Sequence, residues 1–320
     1  MMMTIQEMAR TLGLTPRALR FYEAKGLVSP RKMEHNGYRM YGESDMWRLQ
    51  TIAALREAGM PVAAIRDLLA GVDRGDPEET LYYLEVQRSA LHAQMARTRE
   101  MLATTDDAIA EVRARGALRP ERADKLAAEA RRMREVRDGW ADRWGFDVRA
   151  ATHDEDVRSR HPGYDEALTG IVKAIEPQPG EQGIDIGAGT GNLSGLFVQA
   201  GALMSAVDQS REMVRRCRSK LPDVETRLGN ALAIPFFDAS FDFVVSSYAL
   251  RLLDDSQLEV AVEEMVRVAK PGGRFCFADE LASEADRLCR LLEEHGLHVI
   301  SKPLDGNDLY LIYAAPPRRS

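Results

Sequence analysis

Cysteine is scarce in this 320-residue chain: Cys217, Cys276 and Cys289 are the only three, and none lies in a CxxC or Cys/His ligand spacing. That scarcity excludes a disulfide framework or a structural zinc site as the organiser of the fold, and it fits a reducing cytoplasm. Each thiol reads as a small apolar side chain in a packed interior. Long hydrophobic runs are missing as well. No stretch approaches the roughly eighteen apolar residues of a membrane span, so no membrane contact is expected. The first fifteen residues lack a basic stretch followed by an apolar core, and no signal peptide is expected. No acidic cluster has metal-ligand spacing, so no metal is expected. An excess of basic charge is absent too. The formal net charge of −7 argues, over the whole chain, against a nucleic-acid binder.

Local charge points the other way. Between Arg10 and Tyr41 seven basic residues face only Glu23 and Glu34. The same segment carries helix signals. Ile5, Met8, Ala9 and Leu12 form an apolar stripe at helical spacing, ended by Gly13. Thr15 is an N-cap and Pro16 opens a second helix, which Gly26 stops. Two short helices with a three-residue joint match a helix-turn-helix. Arg17 and Arg20 share one face of the second helix, where they can neutralise phosphates in a major groove. A solvated charged face is the plain alternative. Asn36-Gly37 marks a tight turn between two extended runs, a β-hairpin wing. Helices over 45–58 and 61–70 follow.

The segments LTPRALRFYEAKGLV, NGYRMY and LREAGMPVAAIRDLL resemble the MerR family of transcription regulators over residues 3 to 75. The resemblance implies that Thr15, Arg17, Arg20 and Tyr22 serve DNA binding from the recognition helix. It implies the same for Lys32, Tyr38 and Arg39 on the wing. Phe21 stands where the family often has Tyr.

From Pro77 to Arg115 one long helical pattern runs without a break. Leu81, Arg88, Met95, Leu102 and Ile109 fall on one position of a seven-residue repeat; Leu84, Leu91, Thr98, Thr105 and Val112 fall on another. The seam spans roughly 48 Å at 1.5 Å per residue. The resemblance implies an antiparallel dimerisation helix, hence a homodimer reading a palindromic promoter operator on double-stranded DNA. A helix packed on its own domain is the alternative. With no cysteine before Cys217, metal sensing of the mercury or copper kind is not expected.

Beyond residue 150 strand and helix patterns alternate, the mark of an α/β sheet. QGIDIGAGTG places Asp185 in a short buried strand, then Gly187, Ala188, Gly189 and Gly191 in a turn into a helix. Glycine is required there because the backbone must turn sharply and admit a ligand closely. The next strand ends in Asp208, seventeen residues after Gly191, where a carboxylate can accept both hydroxyls of a ribose. Strands over 224–228, 241–246, 274–278 and 309–315 follow. Together these motifs resemble a class I S-adenosylmethionine-dependent methyltransferase of the small-molecule type over about residues 140 to 316. The cofactor implied is S-adenosyl-L-methionine, or S-adenosyl-L-homocysteine. The resemblance implies that Gly187 to Gly191 back its methionine portion and Asp208 holds its ribose. Gln209, Met213, Asn230 and Ala231 would border the adenine, with Ser246 nearby. The family usually has Asp at position 230; an Asn oxygen can still accept from the adenine amine. The segment WADRWGFDVRAATHDEDV resembles the family's helical lid, with His153 where an aromatic residue usually caps the cofactor and Tyr164 as a second lid candidate.

The expected architecture is therefore multidomain. An all-α winged helix-turn-helix occupies 1–76, a coiled-coil helix 77–115 and a helical linker 116–150. A Rossmann-like α/β methyltransferase domain with a seven-stranded, mostly parallel sheet occupies 151–320. Methyl transfer needs mostly alignment, so no universal catalytic motif is expected. His153, Tyr248 and Arg251 are the candidates for the catalytic role, with Asp279 and Glu280 also near the acceptor, a small molecule. Three functions stay open: a regulator with a working methyltransferase, a regulator that only senses the cofactor, and an enzyme that uses its helix-turn-helix only to dimerise.

Overall fold

The structure is a computed structural model that describes residues 2–33, 37–115, 124, 131, 145–281, 284–304 and 309–317. Residue 36 of the expected hairpin turn and most of the expected linker, 116–150, lie outside the described residues. Packing divides the chain into two compact units, Met1–Gln87 and Arg88–Ser320.

The first unit begins with strand β1 (Met3–Thr4), α1 (Ile5–Thr11) and α2 (Pro16–Ala24). Thr4 and Glu7 form a reciprocal capping box on α1, and the Thr15 hydroxyl caps α2 by accepting from Ala18 N–H at 3.1 Å. Strands β2 (Arg31–Lys32) and β3 (Arg39–Tyr41) form the wing. β1 joins them to give the order β1-β3-β2, an edge no sequence signal announces. Helices α3 (Glu43–Glu57) and α4 (Val62–Arg74) follow. Pro61 is the N-cap of α4 and not its first residue, as a fixed φ near −63° allows. Leu19, Leu27, Tyr41, Leu49, Ile52 and Ile65 close the core at 0% exposure. The Arg48 guanidinium grips Asp73 at 2.6 and 2.9 Å and donates to Leu27 C=O at 2.5 Å, tying α3 to α4 and to the segment that follows α2.

Helix α5 runs unbroken from Pro77 to Arg115. Its expected seam residues Leu81, Leu84, Leu91, Met95, Leu102, Ile109 and Val112 stand exposed. Two of the polar seam positions are satisfied within the helix: Thr98 and Thr105 hydroxyls donate to carbonyls four residues back. Another face of its later half packs within the second unit. His92 lies 5.7 Å from the Phe237 ring, and Arg99 reaches Glu264 at 3.5 Å.

In the second unit α6 (Phe146–Arg149), α7 (His153–Arg160) and α8 (Tyr164–Ile175) precede the sheet. The sheet strands are β4 (Gln182–Ile186), β5 (Leu203–Asp208), β6 (Glu225–Leu228), β7 (Phe241–Ser247), β8 (Ala269–Glu280), β9 (His298–Pro303) and β10 (Leu309–Ala315). Between them run α9 (Asn192–Gln199), α10 (Arg211–Lys220), α11 (Asp255–Val268) and α12 (Glu284–Glu294). The order is β6-β5-β4-β7-β8-β10-β9, parallel except that β10 runs antiparallel to both neighbours. One core joins α8, α9 and α10 to one face of the sheet; another joins α11 and α12 to the opposite face. β9 is a strand the sequence pattern does not announce. β8 begins five residues earlier than expected, because Ala269 pairs with Phe241 before the chain bulges through Gly272 at φ +88°. Strand order reverses between β4 and β7, and ligands of open α/β sheets bind at the strand ends beside such a switch.

Candidate functional site

The C-terminal ends of β4, β5 and β7 open into a cavity of about 550 Å³, within the range of small-molecule sites. The glycine turn forms its floor. Gly187 and Gly189 have φ of +72° and +55°. A Cβ on Gly187 would lie 2.5 Å from the Ala249 methyl, and one on Gly189 would lie 3.0 Å from His153 Nε2. Side chains at either position would fill the cradle, so the sequence leaves it open. Asp208 ends β5 at the wall of the cavity. Its Oδ2 accepts from Gly189 N–H at 2.8 Å and its Oδ1 from Ser210 N–H at 2.9 Å. These bonds aim the carboxylate at the wall of the cavity. Gln209, Met213, Asn230 and Ala231 line the same cavity. The residues present thus fit the nucleoside of the expected cofactor.

Three expected contacts, Asp185, Gly191 and Ser246, are corrected by the packing. Asp185 is fully buried beneath the turn and accepts from the Ser194 hydroxyl at 2.7 Å; it orients α9 and does not line the cavity. Gly191 faces away as well. A Cβ there would meet Cys217 Sγ at 2.7 Å, so this glycine serves the packing of α10. The Ser246 hydroxyl is spent on Ile186 C=O at 2.7 Å. The Asn230 oxygen already accepts from Leu232 and Ala233 N–H at 3.0 and 3.2 Å, so it is committed to its own turn. Aspartate at 230 would keep that turn with one oxygen and offer the other to a ligand amine. Asn230→Asp is therefore expected to tighten S-adenosylmethionine binding about tenfold, as befits one charge-assisted bond, read by calorimetric titration.

Burial moves two carboxyls upward. The Asp185 carboxyl is pushed up to about 7 by loss of water, against the bond from Ser194. The Asp279 carboxyl rises to about 6 for the same reason, against Arg251 and three backbone N–H groups. A folded chain that keeps a proton the unfolded chain has released loses stability as pH rises from about 4 to 7, after which the slope vanishes. Asp185→Asn stays neutral throughout. Its melting temperature relative to the unsubstituted protein is expected to climb from pH 5 to pH 7 and then level off.

The lid helices close one side. In α6, Asp147 accepts from the Ser210 hydroxyl at 2.5 Å. In α7, Asp154 accepts from Thr190 at 2.5 Å and Asn192 at 3.0 Å. His153 stands over the glycine turn, and burial lowers its basicity, so the ring is neutral near pH 7. Tyr164 lines the cavity too, its hydroxyl accepting from Asn192 at 3.1 Å.

Tyr248 and Arg251 form the far wall. Tyr248 holds φ at +52°, a strained setting for a non-glycine residue. That setting puts its ring 4.7 Å from His161 and 5.2 Å from Tyr164. Arg251 sits in a single 3-10 turn, Leu250–Leu252, pinned by Asp279, whose Oδ2 accepts from Leu250 and Arg251 N–H at 2.7 and 3.2 Å. Asp279 therefore holds the turn and does not line the cavity, while Glu280 does. Sequence reasoning missed His161. It lies 119 residues from its partner Glu280, and no local pattern marks it.

On the first unit, Arg17 and Arg20 are exposed on α2. Tyr22, expected to face DNA, is 8% exposed within the core cluster and is corrected to a packing residue. Its neighbour Phe21 is 45% exposed and takes the outward place. On the wing Lys32 and Tyr38 are exposed, whereas Arg39 donates to Glu23 at 2.5 Å. No described helix is long and apolar enough to cross a membrane, and no group of three or more potential metal ligands occurs among the described residues.

Comparison with known proteins matches these parts separately. Residues 3–72 match the MerR helix-turn-helix regulatory protein family, residues 46–108 a MerR DNA-binding family, and residues 184–277 a methyltransferase domain. A demethylmenaquinone methyltransferase of Renibacterium salmoninarum is 38% identical over 34% of this chain and 45% of its own length. An uncharacterized methyltransferase of Anoxybacillus flavithermus is 29% identical over 47% of this chain and 68% of its own. The chain spans about half the length of the first of the curated relatives it matches. Among solved structures, the N-methyltransferase NodS from Bradyrhizobium japonicum, in complex with S-adenosyl-L-homocysteine, aligns with a TM-score of 0.47 and 16% identity over 54% of this chain and 97% of that one. The chain thus joins a region that matches MerR-type DNA-binding families to a region that matches a methyltransferase domain.

Proposed function

We propose that this chain is a DNA-binding transcription regulator whose second unit binds S-adenosylmethionine and methylates a small molecule. The observation that carries the reading is the joint placement of Asp208, the open glycine turn and a closing lid around one cavity. Bound there, the cofactor would supply a methyl group to an acceptor at the Tyr248 side. Asp208 would hold the ribose, and Gln209, Met213 and Ala231 would border the base. Homodimer formation through the exposed seam of α5 would present two recognition helices to a palindromic operator.

Coupling between the cofactor and DNA reading would run through Glu264. Glu264 accepts from Ile234 N–H at 2.9 Å, in the loop that follows Asn230, and pairs with Arg99 of α5. A ligand that shifts this loop would act on α5 through the Glu264–Arg99 pair. The test combines calorimetric titration with S-adenosylmethionine and S-adenosylhomocysteine, footprinting on duplexes enriched from a random pool, and a labelled-methyl assay with metabolite extract. Failure to bind either cofactor form sinks the reading. Binding with no turnover leaves a sensor, and a footprint blind to every ligand state removes the coupling.

A further inference from the structure

His161, Arg251 and Glu280 form a cluster on one wall of the cavity. His161 Nδ1 lies 2.5 Å from Glu280 Oε1. The other Glu280 oxygen accepts from Arg251 Nη1 at 2.7 Å. Arg251 Nη2 lies 3.3 Å from His161 Nε2, which closes the ring of contacts. His161 is 9% exposed, and all three residues line the cavity. A carboxylate that accepts at Nδ1 fixes the proton there and leaves the lone pair on Nε2. The chain thus places an unprotonated imidazole nitrogen against a guanidinium N–H, a contact that an acceptor hydroxyl entering the cavity would replace, with aromatic walls from Tyr164 and Tyr248.

We infer that His161, positioned by Glu280, is the general base that takes the proton from a hydroxyl-bearing acceptor, with Arg251 meeting the charge left on the oxygen. The inference rests on the methyltransferase reading above. A neutral hydroxyl is a weak nucleophile and needs such a base, whereas an amine or thiolate does not. The proton of the hydroxyl passes to Nε2. The oxygen lone pair forms the bond to the methyl carbon as the carbon–sulfur bond breaks, its electron pair going to sulfur, which becomes a neutral thioether. The imidazolium then returns its proton to water.

A merely structural reading is that the cluster latches the end of α7 to β8, and the test separates the two. The full chain is assayed with S-adenosylmethionine and three phenols of graded acidity: catechol, 4-methylumbelliferone and 4-nitrophenol. His161→Ala should cut transfer to catechol about a hundredfold or more while cofactor titration stays unchanged. The loss should be smallest for 4-nitrophenol, the most readily ionised, and added imidazole should restore part of the rate. His161→Gln keeps a donor toward Glu280 but cannot take a proton, and it should behave like the alanine variant. Glu280→Gln should change the pH profile of kcat, and Glu280→Asp should keep it. That profile is read in the field of Arg251, Tyr248, Tyr164, Asp156, Arg160 and the carboxyl of Asp279. A second readout needs no turnover: imidazole 15N shifts should show Nδ1 protonated and Nε2 bare, a preference that Glu280→Gln removes. Equal losses for all three phenols, no rescue by imidazole, or the opposite tautomer overturns the assignment. So does binding of cofactor with no methylation of any phenol. Failure to bind cofactor at all strikes the underlying reading instead.

Discussion

Replacing Asp208 with alanine is expected to weaken S-adenosylmethionine binding by about two orders of magnitude or more, the largest effect of any single substitution in the cavity. Two charge-assisted bonds to a ribose are worth about 1.5–3 kcal/mol each, and each 1.4 kcal/mol is about tenfold. The same carboxylate holds Gly189 N–H and Ser210 N–H, so its loss also loosens the glycine turn. Asp208→Asn separates the two roles. Its amide oxygen can keep one of the backbone bonds, but its NH₂ faces donors where an acceptor is needed, so affinity should fall with a smaller loss of melting temperature. Calorimetry with S-adenosylhomocysteine, beside thermal melts of both variants, reads the result. Unchanged affinity in the alanine variant would remove Asp208 from the ligand site.

The glycine turn and the strand-end carboxylate are legible in the sequence because each is a local device. A strand, a turn that needs positive φ and an acidic tip occupy fewer than thirty consecutive positions, and their spacing survives in the linear text. Helix ends are legible for the same reason: Thr15 with Pro16, and Gly13 and Gly26, are caps and stops read within a few residues. What the sequence hides is direction. Asp185, Gly191 and Ser246 lie in the right motifs, yet Asp185 turns to Ser194 of α9, the open side of Gly191 faces Cys217 of α10, and Ser246 donates to Ile186 C=O. A motif fixes where the backbone goes; which face a side chain takes depends on neighbours far along the chain. Tyr22 shows the same limit on a helix, where rotation by one residue exchanges a groove-facing ring for a core ring and puts Phe21 outside. His161 and Glu280 are the extreme case. Their pairing exists only because the lid precedes the sheet and β8 ends beside it, a juxtaposition set by topology.

The double substitution Arg17→Ala with Arg20→Ala is expected to cost the most on the other unit. Both guanidinium groups are exposed, three residues apart on the face of α2 that carries Phe21. Arg39 is the poorer candidate for phosphate, because its pairing with Glu23 raises its affinity for its own proton and occupies its Nε. Each phosphate contact removed lowers the slope of log affinity against log salt by about one. In a dimer both recognition helices lose two contacts, so the slope should fall by about four when both residues touch phosphate. Residues that instead read bases bidentately leave the slope nearly intact and relax sequence choice at one position of the site, at about 1–3 kcal/mol each. Fluorescence anisotropy of the enriched duplex, run from about 50 to 200 mM salt, distinguishes these outcomes. Cofactor titration should not move, because no cavity residue is altered. A variant that binds DNA as tightly and with the same salt slope as the unsubstituted protein would mean that α2 does not meet the nucleic acid through this face.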